Sequence, residues 1–158
     1  MQFESYDEGG LFNRMIDINV KGIIYTALEF LPQLRRTRGV VINIASNAGI
    51  GTAWEGTTYY AITKAAVIIL TKRMAFDLGR YGIRVNAVAP GWIETDMTTA
   101  NRAPEEVEKT KALVRSRTML STLVCLRTSP TWCSSWPAIG LGTLRDRPWW
   151  LMAVGLIT

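Results

Sequence analysis

From Leu11 onward the apolar positions Phe12, Met15, Ile16, Ile23, Ala27, Leu28 and Leu31 recur at helical spacing as far as Pro32, and Ser5-Tyr6-Asp7-Glu8 ahead of them has the capping-box pattern. This predicts one long amphipathic helix, followed by a basic turn, Arg35-Arg36-Thr37-Arg38-Gly39. The run Val40-Val41-Ile42-Asn43-Ile44-Ala45 then reads as a short strand buried on both faces. A loop rich in Gly, Ser and Thr over residues 46–58 leads into a second helix, with Ala61, Ala65, Ile68, Ile69, Met74, Ala75 and Leu78 as its apolar positions. A second strand follows over residues 83–89 and stops at Pro90-Gly91. After a polar loop, Pro104 with Glu105 and Glu106 opens a third helix running to about Arg117.

The order helix, strand, helix, strand, helix, with long crossovers between apolar strands, predicts a parallel sheet with right-handed connections and flanking helices. In open sheets of this kind ligands bind beyond the carboxyl ends of the strands. Those ends are Ala45-Ser46-Asn47-Ala48-Gly49 and Ala89-Pro90-Gly91-Trp92-Ile93-Glu94-Thr95. Ser46 therefore sits at one strand end, and Tyr60 and Lys64 follow it on the next helix. A spacing of four brings Tyr60 and Lys64 onto one helix face while Tyr59 points elsewhere. A phenol beside an ammonium is a candidate acid: a free phenol ionises near pH ~10, and a neighbouring cation favours the phenolate.

Composition narrows the chemistry. The 158 residues, 48% of them hydrophobic, suit a single soluble domain with a real core. There is no histidine, which excludes a Ser-His-Asp triad or a Cys-His pair and leaves Tyr, Lys, Asp and Glu for proton transfer. Cys125 and Cys133 lack the usual zinc partners, so free thiols and no metal site are expected. The net charge of +5 is spread along the chain without a basic-aromatic run, and no nucleic-acid partner is expected. The apolar stretch Trp149–Thr158 is about half of what a membrane span needs, and the N-terminus is acidic, unlike a signal peptide; a cytoplasmic location is expected. Gly49-Ile50-Gly51 and Gly140-Leu141-Gly142 are G-x-G pairs without a third glycine at a helix start, and read as turns.

The set comprising Asn19 within Ile18-Asn19-Val20, the block Asn43–Gly49, Tyr59–Ala66 and Ile83–Met97, in this order and spacing, resembles the short-chain dehydrogenase/reductase family, nearest its 3-oxoacyl-[acyl-carrier-protein] reductases. The resemblance runs from about residue 3 to residue 120. It implies a partial Rossmann-like, doubly wound α/β sheet in three layers, with the first strands and the last strand missing. It also implies NAD or NADP as cofactor and a small carbonyl, alcohol or acyl-thioester substrate. Tyr60 would be the proton donor to the carbonyl, Ser46 would hold the carbonyl oxygen, Lys64 would bond the nicotinamide ribose, and Asn19 would hold a water linking the lysine to solvent. Pro90 and Gly91 would shape the cofactor loop, Ile93 and Thr95 would contact the nucleotide, and Trp92 would flank the substrate. The helices at 11–34 and 58–79 would pair two copies. Because the family's Gly-rich phosphate turn precedes the part matched, the resemblance implies that this chain alone neither binds the nucleotide tightly nor turns over. A silent fragment that only self-associates is the alternative.

Residues 1–120 thus read as the catalytic part of one domain, and residues 121–158 as something else. That tail holds both Cys, four Trp and one acidic residue. Codons formed from the last base of one residue and the first two of the next give Val at Trp132-Cys133, Ala at Trp136-Pro137, Val at Trp149-Trp150 and Gly at Met152-Ala153. The other positions are compatible with the pattern that ordinarily ends this family, so the tail reads as out of frame from about Met119 to Ser121.

Overall fold

A computed structural model describes residues 3–5, 10–51, 54–100 and 102–116. The tail from 121, its cysteines, the Gly140 turn and residues 6–8 of the capping box lie outside the described residues. The chain forms two units, Met1–Ala89 and Pro90–Thr158.

In the first unit the expected long helix is present in pieces. Helix α1 (Leu11–Ile16) passes into a π-helical turn at Asp17–Lys21 and continues as α2 (Gly22–Glu29). The chain does not stop at Pro32. After a break at Phe30 it resumes as α3 (Leu31–Thr37), with Pro32 in the first turn, where its missing N–H costs nothing. The residues expected to form a basic turn are therefore mostly helical, and the reversal falls later, at Arg38 with φ 51° and at Gly39.

Strand β1 (Val40–Ile44) pairs in parallel with β2 (Arg84–Val88), from Val40 opposite Arg84 to Ile44 opposite Val88. The amide of Arg84 donates to the Gly39 carbonyl and that of Ala45 to the Val88 carbonyl. In a parallel ladder this parity turns the odd-numbered residues of β1 toward β2 and the even-numbered backbone groups toward the open edge. Burial on both faces is not observed: Val40, Ile42 and Ile44 are 42%, 41% and 55% exposed. Within this unit the helical layer covers the other face. There Ala45, Val67 and Ala89 form one core cluster and Met74, Ile83 and Val85 a second, closed by Ile23, Leu31, Leu34 and Leu70.

Helix α4 (Thr58–Gly79) makes the crossover with the predicted bounds, and of its expected apolar positions Met74 is buried and Ile68, Ala75 and Leu78 pack against the core. Its buried stripe is Tyr59, Thr63, Val67, Thr71 and Met74, while Ile69 is exposed. The helix is apolar on several sides, so hydropathy did not choose between them. Threonines can occupy the inner face because each hydroxyl donates back to a helix carbonyl, Thr63 to Tyr60 O at 2.8 Å and Thr71 to Val67 O at 2.7 Å. The buried Asn43 is likewise satisfied, its Nδ2 donating to Thr71 Oγ1 at 2.8 Å.

The second unit holds α6 (Pro104–Ser116), which opens on Pro104, Glu105 and Glu106 as expected, and a short α5 (Asp96–Thr99) within the segment read as a polar loop. Lys111 of α6 bridges Glu94 at 2.7 Å and Glu108 at 3.0 Å. Among the described residues no helix is long and apolar enough to cross a membrane.

Candidate active site

The carboxyl end of β1 runs into a tight 3-10 turn, Asn47–Ile50, capped by Ser46, whose Oγ accepts from the Ala48 amide at 3.2 Å. This turn lies directly on α4. A Cβ built at Gly49 would stand 2.6 Å from Ala65 N and 2.6 Å from the Lys64 carbonyl carbon, so only glycine permits the approach. Gly51, with φ +110°, then ends the turn. The glycines of Gly49-Ile50-Gly51 thus serve packing and chain reversal.

Tyr60 and Lys64 stand one turn apart on α4, with the ammonium 5.6 Å from the Tyr60 ring centroid. Lys64 Nζ donates to the Ile44 carbonyl at 3.0 Å, which places the cation at the end of β1, two residues before Ser46. Partial burial lowers the Lys64 pKa from its ordinary 10.5, because the charged form loses water. Tyr59 faces away from this pair. It is buried, its hydroxyl donates to the Phe3 carbonyl at 2.8 Å, and its ring lies 5.0 Å from that of Phe12.

Asn19 sits in the π-helical turn, and such turns recur at functional sites. Its Nδ2 donates to Thr63 Oγ1 at 3.0 Å, and Thr63 in turn bonds the Tyr60 carbonyl. Asn19 and Lys64 both line a groove of about 620 Å³ that runs along the open edge of β1 beneath Ile23, Ala27, Phe30 and Leu34. Ser46 and Tyr60 are not among the residues lining that groove. Asn19 and Tyr60 are therefore linked through Thr63, Lys64 shares the groove with Asn19, and Ser46 caps the turn whose Gly49 packs on α4, with its own side-chain bonds going to Asn47 and Ala48.

The remaining candidates, Pro90, Gly91, Trp92, Ile93 and Thr95, belong to the second unit. Their loop is organised by Thr98, whose Oγ1 lies 2.9 Å from both the Ile93 and Thr95 carbonyls and accepts from the Thr95 amide at 2.9 Å. Thr63 and Thr98 were not singled out from sequence, and Gly49 was read there as part of a turn. The only available signals were a Thr three residues after Tyr60 and a Thr-x-x-Thr spacing, both common by chance.

The family model for short chain dehydrogenases matches residues 1–106. Meso-2,3-butanediol dehydrogenase of Serratia marcescens is 38% identical over 96 residues, 61% of this chain and 37% of that protein. Sorbitol-6-phosphate 2-dehydrogenase of Klebsiella pneumoniae is 40% identical over 98 residues, 61% of this chain and 35% of that one. Among solved structures, a 3-oxoacyl-[acyl-carrier protein] reductase from Brucella melitensis superposes with a TM-score of 0.68 at 33% identity, over 79% of this chain and 45% of that one. A gluconate 5-dehydrogenase from Burkholderia cenocepacia, in complex with NADP and tartrate, gives 0.67 at 26% identity, over 79% and 48%. The chain thus spans little more than a third of these curated relatives. With the parallel crossover, the Tyr60–Lys64 turn at the end of β1 and a family match over more than half of its length, the chain belongs to the short chain dehydrogenase family.

Proposed function

We propose that this site is that of an NAD(P)-dependent oxidoreductase interconverting a carbonyl and an alcohol, with 3-oxoacyl thioesters or small keto compounds as the substrate class. The observation that carries the reading is the position of Tyr60 and Lys64, one turn apart on α4 with Lys64 held on the last residue of β1. The residues present suit the nicotinamide-ribose half of the cofactor: an ammonium has three donors, and the Ile44 carbonyl takes one, leaving two for sugar hydroxyls. NADH or NADPH, when bound, supplies the hydride. Tyr60 gives its phenolic proton to the carbonyl oxygen, and in the reverse direction the phenolate removes the alcohol proton. Ser46 donates a hydrogen bond to the same oxygen and so orients the carbonyl. Asn19 holds a water that connects Lys64 to solvent. Pro90, Gly91, Ile93 and Thr95 are assigned to the nucleotide and Trp92 to the substrate, by resemblance alone.

A second reading keeps the ancestry without the turnover: the chain by itself associates with a second copy, in the cytoplasm, through the helices at 11–34 and 58–79. The exposed Tyr25, Leu28, Ile69 and Phe76 favour it. So does the use of Gly49 and Gly51 for packing and reversal, which takes that G-x-G out of phosphate binding and agrees with weak nucleotide affinity.

Two experiments separate the readings. Nucleotide-fluorescence titration of the chain with NADH and NADPH is expected to give no saturable micromolar binding. Residues 11–100 grafted into the matching place of the Brucella reductase are expected to oxidise NADPH in the presence of an acetoacetyl thioester, and to lose that activity on Tyr60→Phe. A graft that folds and binds nucleotide but does not turn over would overturn the enzymatic reading.

A further inference from the structure

Thr63 is fully buried, with 0% exposure, and in sequence follows Tyr60 by three residues and immediately precedes Lys64. Its hydroxyl has one proton and two lone pairs. The Tyr60 carbonyl, 2.8 Å away, can only accept, so the proton is committed there. Toward Asn19, 3.0 Å away on another helical segment, Thr63 Oγ1 can then only accept. An asparagine amide has a donor end and an acceptor end, and this leaves only its donor end, Nδ2, for Thr63. The acceptor end, Oδ1, is thereby reserved for other partners, and the groove that Asn19 lines is shared with Lys64, whose ammonium only donates.

We propose that Thr63 is a positioning residue for the Tyr60–Lys64 pair: its hydroxyl sets which end of the Asn19 amide is available in the groove shared with Lys64. This rests on the assignment of Tyr60 and Lys64 as the reacting pair. A threonine bonding back to its own helix is common and by itself signifies nothing. What distinguishes Thr63 is the second bond, to a side chain in a π-helical turn of another segment. The same helix carries a matched case away from the pair, where Asn43 Nδ2 donates to Thr71 Oγ1 and Thr71 bonds the Val67 carbonyl. The Asn43 amide therefore serves as an internal reference.

The test compares the full chain with Thr63→Val, which keeps the volume and removes the hydroxyl, and Thr63→Ser, which keeps the hydroxyl. Hydrogen exchange of the Asn19 and Asn43 side-chain amide protons is followed by NMR. Asn19 exchange is expected to accelerate about fivefold or more in Thr63→Val, the size of one lost hydrogen bond. It should return toward the original rate in Thr63→Ser, while Asn43 exchange stays unchanged in both. Equal Asn19 protection in all three chains overturns the proposal; so does an equal loss at Asn19 and Asn43, which would report general loosening. None of these readouts needs turnover, so an inactive chain bears on the proposed function alone. In the active graft, Thr63→Val should lower kcat with little change in KM, with Thr63→Ser restoring it, and an unchanged kcat would count against the positioning role.

Discussion

The ammonium of Lys64 is bonded to the carbonyl oxygen of Ile44 across 3.0 Å, tying the second turn of α4 to the last residue of β1. That carbonyl belongs to an even-numbered residue of β1 and so faces the open edge of the sheet, where no strand among the described residues competes for it. One contact thus positions the cation and caps an otherwise open backbone acceptor.

The partial burial of Lys64 makes stability depend on pH in a predictable direction. Burial holds the Lys64 pKa below 10.5, so between the lowered value and 10.5 the folded chain binds fewer protons than the unfolded one. Stability from this group is fully present above 10.5 and is lost as pH falls through the lowered value. Urea denaturation of the wild type and Lys64→Met across alkaline pH should show the wild type gaining on the variant as pH rises toward 10.5. A flat or falling difference would contradict the assignment.

Adjacent tyrosines should behave differently. Tyr59→Phe removes the hydroxyl that bonds the Phe3 carbonyl and is expected to cost about 1 kcal/mol of stability without affecting turnover in the graft. Tyr60→Phe is expected to reduce turnover by about 10²–10⁴-fold and leave nucleotide affinity largely intact. Steady-state kinetics with parallel nucleotide titration distinguishes them, and reversed phenotypes would exchange their roles.

Gly49→Ala places a methyl against the backbone of Lys64 and Ala65, which cannot move aside as a flexible side chain could. A destabilisation of about 1–3 kcal/mol is expected. Gly51→Ala, which has open space but an unfavourable φ, should cost less, about 1 kcal/mol. Denaturation curves for the pair test whether close approach or backbone conformation dominates.

The exposed Ile62, Ile69 and Phe76 recur every seven residues along α4 and give it an outer apolar stripe. Pairing with a second copy would cover it. Sedimentation should find a dimer that Ile69→Glu with Phe76→Glu converts to monomer. A stable monomer at all concentrations of the unaltered chain would count against pairing. The open edge of β1 makes aggregation the competing outcome.

Much of the local structure was legible because it depends on local rules. The bounds of α4, the opening of α6 at Pro104 and the two strands follow from periodicity, β-branched runs and the behaviour of Pro and Gly at element ends. The side that each element buries was less legible. Val40, Ile42 and Ile44 have the composition of a strand covered twice, yet the covering layer in this unit lies on one face. On α4 several sides are apolar enough to serve as core, and hydropathy could not reveal that Thr63 and Thr71 would turn inward.

By itself the sequence determined the order of elements, the Tyr60–Lys64 spacing that puts both on one helix face, and the absence of histidine that assigns proton transfer to other groups. Each depends on residue type and on separations of a few positions, where the geometry of a helix or strand is nearly invariant. Only the tertiary structure decided that Gly49 must be glycine, that Lys64 is held by Ile44, and that Thr63 joins Asn19 to Tyr60. The physical reason is range. Asn19 and Thr63 are 44 residues apart, and whether their polar atoms meet depends on how two segments pack around a shared core, to within the few tenths of an ångström that separate a hydrogen bond from an unpaired buried group.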